Sequence, residues 1–195
     1  MKEKLKIVLA DDEALIRLDL REMLTEAGHE IVGEAANGQE AIQLAEKLHP
    51  DIVIMDVKMP VMDGLTAAKT ITEGELAPVL LLTAYSQQDI VAKAAEAGVI
   101  AYLVKPVREQ QLFPAMEVAV SRFREWQGLS RELEELKESL VTRKLVDRAK
   151  GILMTVHGMT EQDAYRKMQQ FSMMKRITLK KLAEEIIAAD EKNRK

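Results

Sequence analysis

Five short apolar runs punctuate the first hundred or so residues: Leu5–Ala10, Glu30–Ala35, Ile52–Asp56, Val79–Thr83 and Ile100–Val104. They are rich in Val, Ile and Leu and have the length of strands. Between them the apolar positions recur at helical spacing. Leu15, Leu18, Met23 and Leu24 do so within Ala14–Ala27; Ala41, Ile42, Leu44, Ala45 and Leu48 do so within Gln39–Leu48. Strands that alternate with helices predict a parallel sheet covered on both faces, with right-handed crossovers. A central strand in such a sheet is buried on both sides, so its apolar residues need not alternate with polar ones. The run DIVIMD, Asp51–Asp56, fits that description. Gly28, Gly38, Gly64 and Gly98 stand where helices start or stop, and Pro60 and Pro106 follow strands.

Beyond Pro106 the pattern changes. From Glu109 to about Val156 the chain reads as one long helical run containing Gly128 and Gly151. Trp126, Leu129, Leu133, Leu136 and Leu140 fall at spacings of 3, 4, 3 and 4, a short heptad seam. Two uses of the seam stay open: packing on the chain's own domain, or pairing with a partner helix. Three helices then close the sequence. The first continues through Arg143–Val156 with Leu145, Ala149, Ile152 and Val156 on one face, and Gly158 caps it. Thr160 and Asp163 resemble a capping box opening Glu161–Met173. The third starts after Thr178 and buries Leu179, Leu182, Ile186 and Ile187. The expected division is therefore 1–125, a connecting helix at 126–141, and a small helical domain at 142–190, with a solvated end.

Composition narrows the chemistry. Aromatic residues make up 4% of the 195 positions and methionine occurs 11 times, so the core must be aliphatic and methionine-filled. Cysteine is absent, which excludes disulfides, thiolate nucleophiles and Cys-based zinc sites. The apolar run at the N-terminus is too short for a signal peptide, and no stretch approaches the roughly 18 uncharged apolar residues of a membrane span. A cytoplasmic protein without membrane contact is expected. The net charge of −4 conceals an asymmetry: residues 142–195 carry 13 Lys/Arg and 7 Asp/Glu, or +6, and the remainder carries 15 and 25, or −10. Two parts with different partners are implied.

In a parallel α/β sheet, binding groups gather beyond the carboxyl ends of the strands. Here the first strand runs into Asp11-Asp12, the third ends at Asp56, the fourth at Thr83, and the fifth runs into Lys105-Pro106. Three neighbouring carboxylates repel and call for a cation. All-oxygen ligands point to Mg2+ or Mn2+. A hydroxyl and an ammonium at the same rim suit a phosphoryl group, with Asp56 as the nucleophile that would form an aspartyl phosphate. The bland alternative makes Asp12 a helix N-cap, Asp56 a turn cap and Lys105 a surface charge.

The stretches ADDE, MDVKMPVMDG, LTA and YLVKP resemble the receiver domain of two-component response regulators, over about residues 1–125. That resemblance implies a flavodoxin-like, doubly wound five-stranded parallel sheet. It implies that Asp56 is the phospho-acceptor, supported by Lys105 and Thr83. It places Mg2+ on Asp12, Asp56 and the backbone carbonyl of Lys58, with Asp11 acting through water. Thr83 and Tyr102 match the family's switch pair, which biases the face built from the fourth and fifth strands and their helices. Lys58 and Tyr85 should tune the lifetime of the phosphate.

The basic tail holds Arg143, Lys144, Arg148 and Lys150 within eight residues, and a second cluster of Arg166, Lys167, Lys175 and Arg176. Tyr165 could stack on an exposed base or lie in a core. The runs RKLVDRAKGILM and GMTEQDAYRKMQQFSM resemble an ANTAR domain, a three-helix RNA-binding module of transcription antiterminators. On that resemblance the RNA-binding residues are Arg143, Lys144, Arg148, Lys150, Tyr165 and Arg166. The stretch Phe171-Ser172-Met173-Met174 is more apolar than the family's, which speaks against RNA contact there. The combination implies a regulator phosphorylated by a sensor histidine kinase, binding RNA hairpins in nascent transcripts, not an enzyme, and pairing as a homodimer on phosphorylation. The chief alternative is a response regulator with a DNA-binding helical output; its last helix, Thr178–Ala189, is mostly apolar and acidic beyond two lysines. A phosphatase would need a general acid beside Asp56, where the sequence offers Lys58.

Overall fold

The computed structural model describes residues 3–84 and 98–193. Contacts divide the chain into two compact units, 1–128 and 129–195. In the first, β1 (Lys6–Ala10), β2 (Glu30–Ala35), β3 (Ile52–Asp56), β4 (Val79–Thr83) and β5 (Ala101–Val104) form one sheet. Every pairing is parallel and the order is β2-β1-β3-β4-β5. Helices α1 (Ala14–Glu26), α2 (Gly38–Leu48) and α3 (Gly64–Glu73) lie between the strands, and α4 (Glu109–His157) begins in this unit.

Two apolar layers explain why the strands do not alternate. Successive residues of one strand point to opposite faces. Val8 and Ala10, Val53 and Met55, Val79 and Leu81 pack with α2 and α3, where Ala41, Ala45, Ala67 and Ala68 let the helices approach closely. Ile7 and Leu9, Ile52 and Ile54, Leu80 and Leu82 pack on the other side, with Leu20 and Leu24 of α1 and Leu112 and Met116 of α4. Both layers bury fully, so β3 is apolar from Ile52 to Met55 and turns polar only at its tip, Asp56.

Local chemistry fixes the helix starts. Asn37 accepts a hydrogen bond from the Glu40 amide at the start of α2, and Asp63 accepts one from Thr66 at the start of α3. The N-cap of α1 is Glu13, which makes no side-chain capping bond, so Asp12 is not the cap of that helix. Pro114 lies inside α4, and the helix nonetheless runs on from Glu109 to His157 as the pattern predicts. Pro114 lacks the N–H that would bond the carbonyl four residues back.

The second unit holds the rest of α4 with α5 (Glu161–Lys175) and α6 (Leu179–Asn193). Its core is Val146, Ala149, Met168, Leu182, Ala183 and Ile187, with Leu145, Ile152, Leu179 and Ile186 packed against it. Val156, expected on the buried face, is 58% exposed instead. It lies in the final turn of α4, before Gly158 (φ +63) ends the helix. Thr160 caps α5, accepting from the Asp163 amide and donating its hydroxyl to the Asp163 carboxylate at 2.7 Å. Leu129, Leu133, Leu136 and Leu140 of the seam are 53–64% exposed.

Candidate functional site

The strand order reverses between β1 and β3, so their carboxyl ends open a crevice. The register Ala10↔Met55 sets Asp11 alongside Asp56. Ligand oxygens of Asp11, Asp12 and Asp56 all lie within 4.8 Å of one another. Asp11 and Asp56 are buried and Asp12 is exposed.

Lys105 reaches in from β5. Val104 is in register with Thr83, and the Lys105 amide donates to the Thr83 carbonyl at 2.8 Å. The Lys105 ammonium lies 2.7 Å from Asp11 Oδ2 and 2.9 Å from Asp56 Oδ1. Burial alone would pull its pKa down; hydrogen bonds to Asp11 and Asp56 outweigh that and hold it above the usual lysine value. Each carboxylate is also oriented from its other oxygen. Asp11 Oδ1 accepts from the Glu13 amide and Asp56 Oδ2 from the Lys58 amide, both at 3.0 Å.

One lysine facing three carboxylates leaves an excess of negative charge. An all-oxygen donor set with one exposed member, Asp12, suits a hard divalent cation that keeps some of its waters. The same rim presents the Asp56 carboxylate and a fixed ammonium. The bland reading of Lys105 as a surface charge does not hold, because its side chain is only 17% exposed.

Thr83 is buried at the end of β4, and Tyr102 on β5 is 40% exposed. The registers Leu81↔Tyr102 and Thr83↔Val104 put Thr83 and Tyr102 on the same face of the sheet as diagonal neighbours. Tyr85 lies outside the described residues. One residue that the reading of strand tips undervalued is Gly64. A Cβ there would sit 2.0 Å from the Asp56 carbonyl oxygen. The start of α3 thus presses on the backbone of Asp56, and the Gly64 amide bonds the Val57 carbonyl at 2.8 Å.

In the second unit the six expected RNA-binding residues do not form one surface. Arg143, Lys150 and Tyr165 line a groove that also holds Glu135, Glu138 and Asp147. Lys150 is 15% exposed and bridges Asp147 at 2.7 Å and Glu161 at 2.8 Å; those bonds raise its pKa. At about 100° per residue, Lys144 and Arg148 lie roughly 100–140° round the helix from Arg143. Arg148 pairs with Glu191 at 2.8 Å. Tyr165, at 40% exposure, is not part of the core, and Arg166 is exposed beside it.

Family comparisons agree with this division. Residues 7–117 match the response regulator receiver domain, and residues 134–187 match the ANTAR domain. The chain belongs to the response regulators with an ANTAR output. Over 182 residues it is 56% identical to the transcriptional regulatory protein PdtaR of Mycobacterium tuberculosis, covering 93% of this chain and 89% of that one. The chemotaxis protein CheY of Thermotoga maritima is 38% identical over 112 residues, 57% of this chain and 93% of its own. Among solved structures, the receiver domain of the putative response regulator NarL from M. tuberculosis superposes with a TM-score of 0.59 at 30% identity, covering 62% of this chain and 98% of that one. The REC domain of AraT from Geobacillus stearothermophilus gives 0.55 at 33%, covering 64% and 99%. This response regulator therefore joins a parallel-sheet receiver to a helical output. No helix among its described residues is long and apolar enough to cross a membrane.

Proposed function

We propose that this response regulator accepts a phosphoryl group on Asp56 from a sensor histidine kinase, and then binds RNA hairpins in nascent transcripts as an antiterminator. The observation that carries the reading is Lys105 held between Asp11 and Asp56 at the mouth of a receiver joined to an ANTAR module. Asp11, Asp12, Asp56 and the Lys58 carbonyl would hold Mg2+, Asp11 through water; when bound, the ion offsets the charge of the carboxylates and the phosphoryl oxygens. An Asp56 oxygen attacks phosphorus as the bond to the donor histidine breaks. Lys105 then has a phosphoryl oxygen to neutralise as well as Asp11. The Thr83 hydroxyl turns toward the new charge, and the half-exposed Tyr102 ring has room to follow. Lys58 sets how long the phosphate lasts.

In this reading the receiver is 1–125, the connecting helix 126–141, and the RNA-binding module 142–190. The protein works in the cytoplasm by binding, not by turnover, and pairs through the exposed leucines of α4 once phosphorylated. Asp56→Asn keeps the size of the side chain and removes the nucleophile. Incubated with labelled acetyl phosphate and Mg2+, the wild type should take up label and the variant none. Label retained by Asp56→Asn would end the mechanism. A duplex operator bound more tightly than any hairpin would end the RNA assignment.

A further inference from the structure

We propose that the output unit takes a single unpaired nucleobase of an RNA loop into the apolar cleft between the end of α4, α5 and α6, with Phe171 as its stacking wall. The proposal rests on the antiterminator reading above and moves the point of RNA contact away from the groove of Arg143, Lys150 and Tyr165. The cleft measures about 420 Å3. Leu153, Met168, Leu182 and Ile186 line it, so one wall is the core of the unit. Phe171 stands there 46% exposed, although a phenyl ring gains by being covered. Lys167, Lys175 and His157 add the basic side, and the acid among the lining residues is Glu185, 3.7 Å from Lys175.

Charge separates the two concavities. With His157 neutral, the ionised residues lining the cleft are Lys167 and Lys175 against Glu185, 2 − 1 = +1. Those lining the groove are Arg143 and Lys150 against Glu135, Glu138 and Asp147, 2 − 3 = −1. The lining charge therefore favours a phosphodiester at the first over the second. Lys150 is moreover already held between two carboxylates. Shape points the same way. A base is flat and apolar on its faces, polar on its edge and charged only through its backbone. Its faces fit Phe171 and the methionine and leucine walls. A base edge could donate to the Glu185 carboxylate, while Lys167 and Lys175 meet phosphates outside. Only an unstacked loop base can enter such a space, which favours a hairpin loop over a duplex groove. A second copy docked isologously would bring the lysine-bearing rims of both copies into one interface. The apolar departure at Phe171, which in the sequence speaks against RNA contact, thus becomes the stacking surface.

The test uses the full chain and a pool of RNA hairpins with one fixed stem and a randomised loop containing 4-thiouridine. After irradiation and trypsin digestion, the crosslink should fall on the peptide Met168–Lys175. Phe171→Ala should weaken retention of the pool on the order of tenfold, and Phe171→Tyr should restore it, with helical circular dichroism unchanged in both. A crosslink on another peptide, or full retention by Phe171→Ala, overturns the site while leaving the antiterminator reading intact. So does a variant whose only change is a lower sedimenting mass, since the cleft then holds a second copy. A wild type that retains hairpins no better than the same stem as a blunt duplex overturns the reading and the site together.

Discussion

At the scale of single residues, the carboxylate cluster of Asp11, Asp12 and Asp56 is held by opposed charges with Lys105. Lys105, partly buried, pairs with the fully buried Asp11, and truncating the lysine would leave that buried carboxylate short of its cation, a costly state. Gly64 acts through shape alone. The atoms that a Cβ would strike belong to the Asp56 and Val57 backbone, which cannot rotate away as a side chain would. Gly64→Ala should therefore lower stability by about 2–3 kcal/mol and slow labelling of Asp56, because the strand tip must shift. Gly74→Ala is the control. Its φ is −78°, and the nearest atom to an added Cβ is the Thr70 carbonyl oxygen at 3.2 Å. Urea unfolding midpoints of the two variants decide the matter: equal midpoints would show that the approach of α3 to Asp56 is relaxed at little cost.

Elements were legible where one periodicity ruled. The strands announced themselves because two layers of helices demand unbroken apolar runs, and β2, β3 and β4 begin and end where the apolar runs do. The acids and the lysine at the strand tips followed from topology, since parallel pairing brings residues of equal register to one edge. The output side was less legible. Basic residues along a helix look alike in sequence, yet Lys150 and Arg148 find carboxylates 11 and 43 positions away, through packing that spacing cannot announce. The cleft beside Phe171 needs three helices to exist at all. The leucines at 129, 133, 136 and 140 pose an element-scale question, because all stay more than half exposed. Apolar rows of this kind gain when a partner covers them. Leu133→Ser with Leu136→Ser should convert a dimer formed after acetyl phosphate treatment into a monomer in sedimentation velocity, at unchanged labelling of Asp56. A dimer that survives both substitutions would place the pairing surface elsewhere.

For the whole molecule, the decisive feature is that each unit has a core of its own. The sheet is sealed by two apolar layers of residues within 1–128, whereas the second core is drawn entirely from residues 145–187. The second unit has 195 − 128 = 67 residues, so at typical stabilities it is worth about 3–10 kcal/mol. Losing two buried aliphatic side chains costs about 4–10 kcal/mol, enough to unfold it. Leu182→Ala with Ile187→Ala should therefore remove hairpin binding and much of the helical signal of residues 161–193. The sheet, and with it the seat of Asp56, Asp11 and Lys105, loses no contact of its own core. Labelling by acetyl phosphate should keep its wild-type rate, measured beside circular dichroism on the same sample. Slower labelling would mean that the receiver draws stability from the output unit. Unchanged labelling would make phosphorylation a property of residues 1–128 alone, leaving the output free to change its RNA specificity without altering the site that commands it.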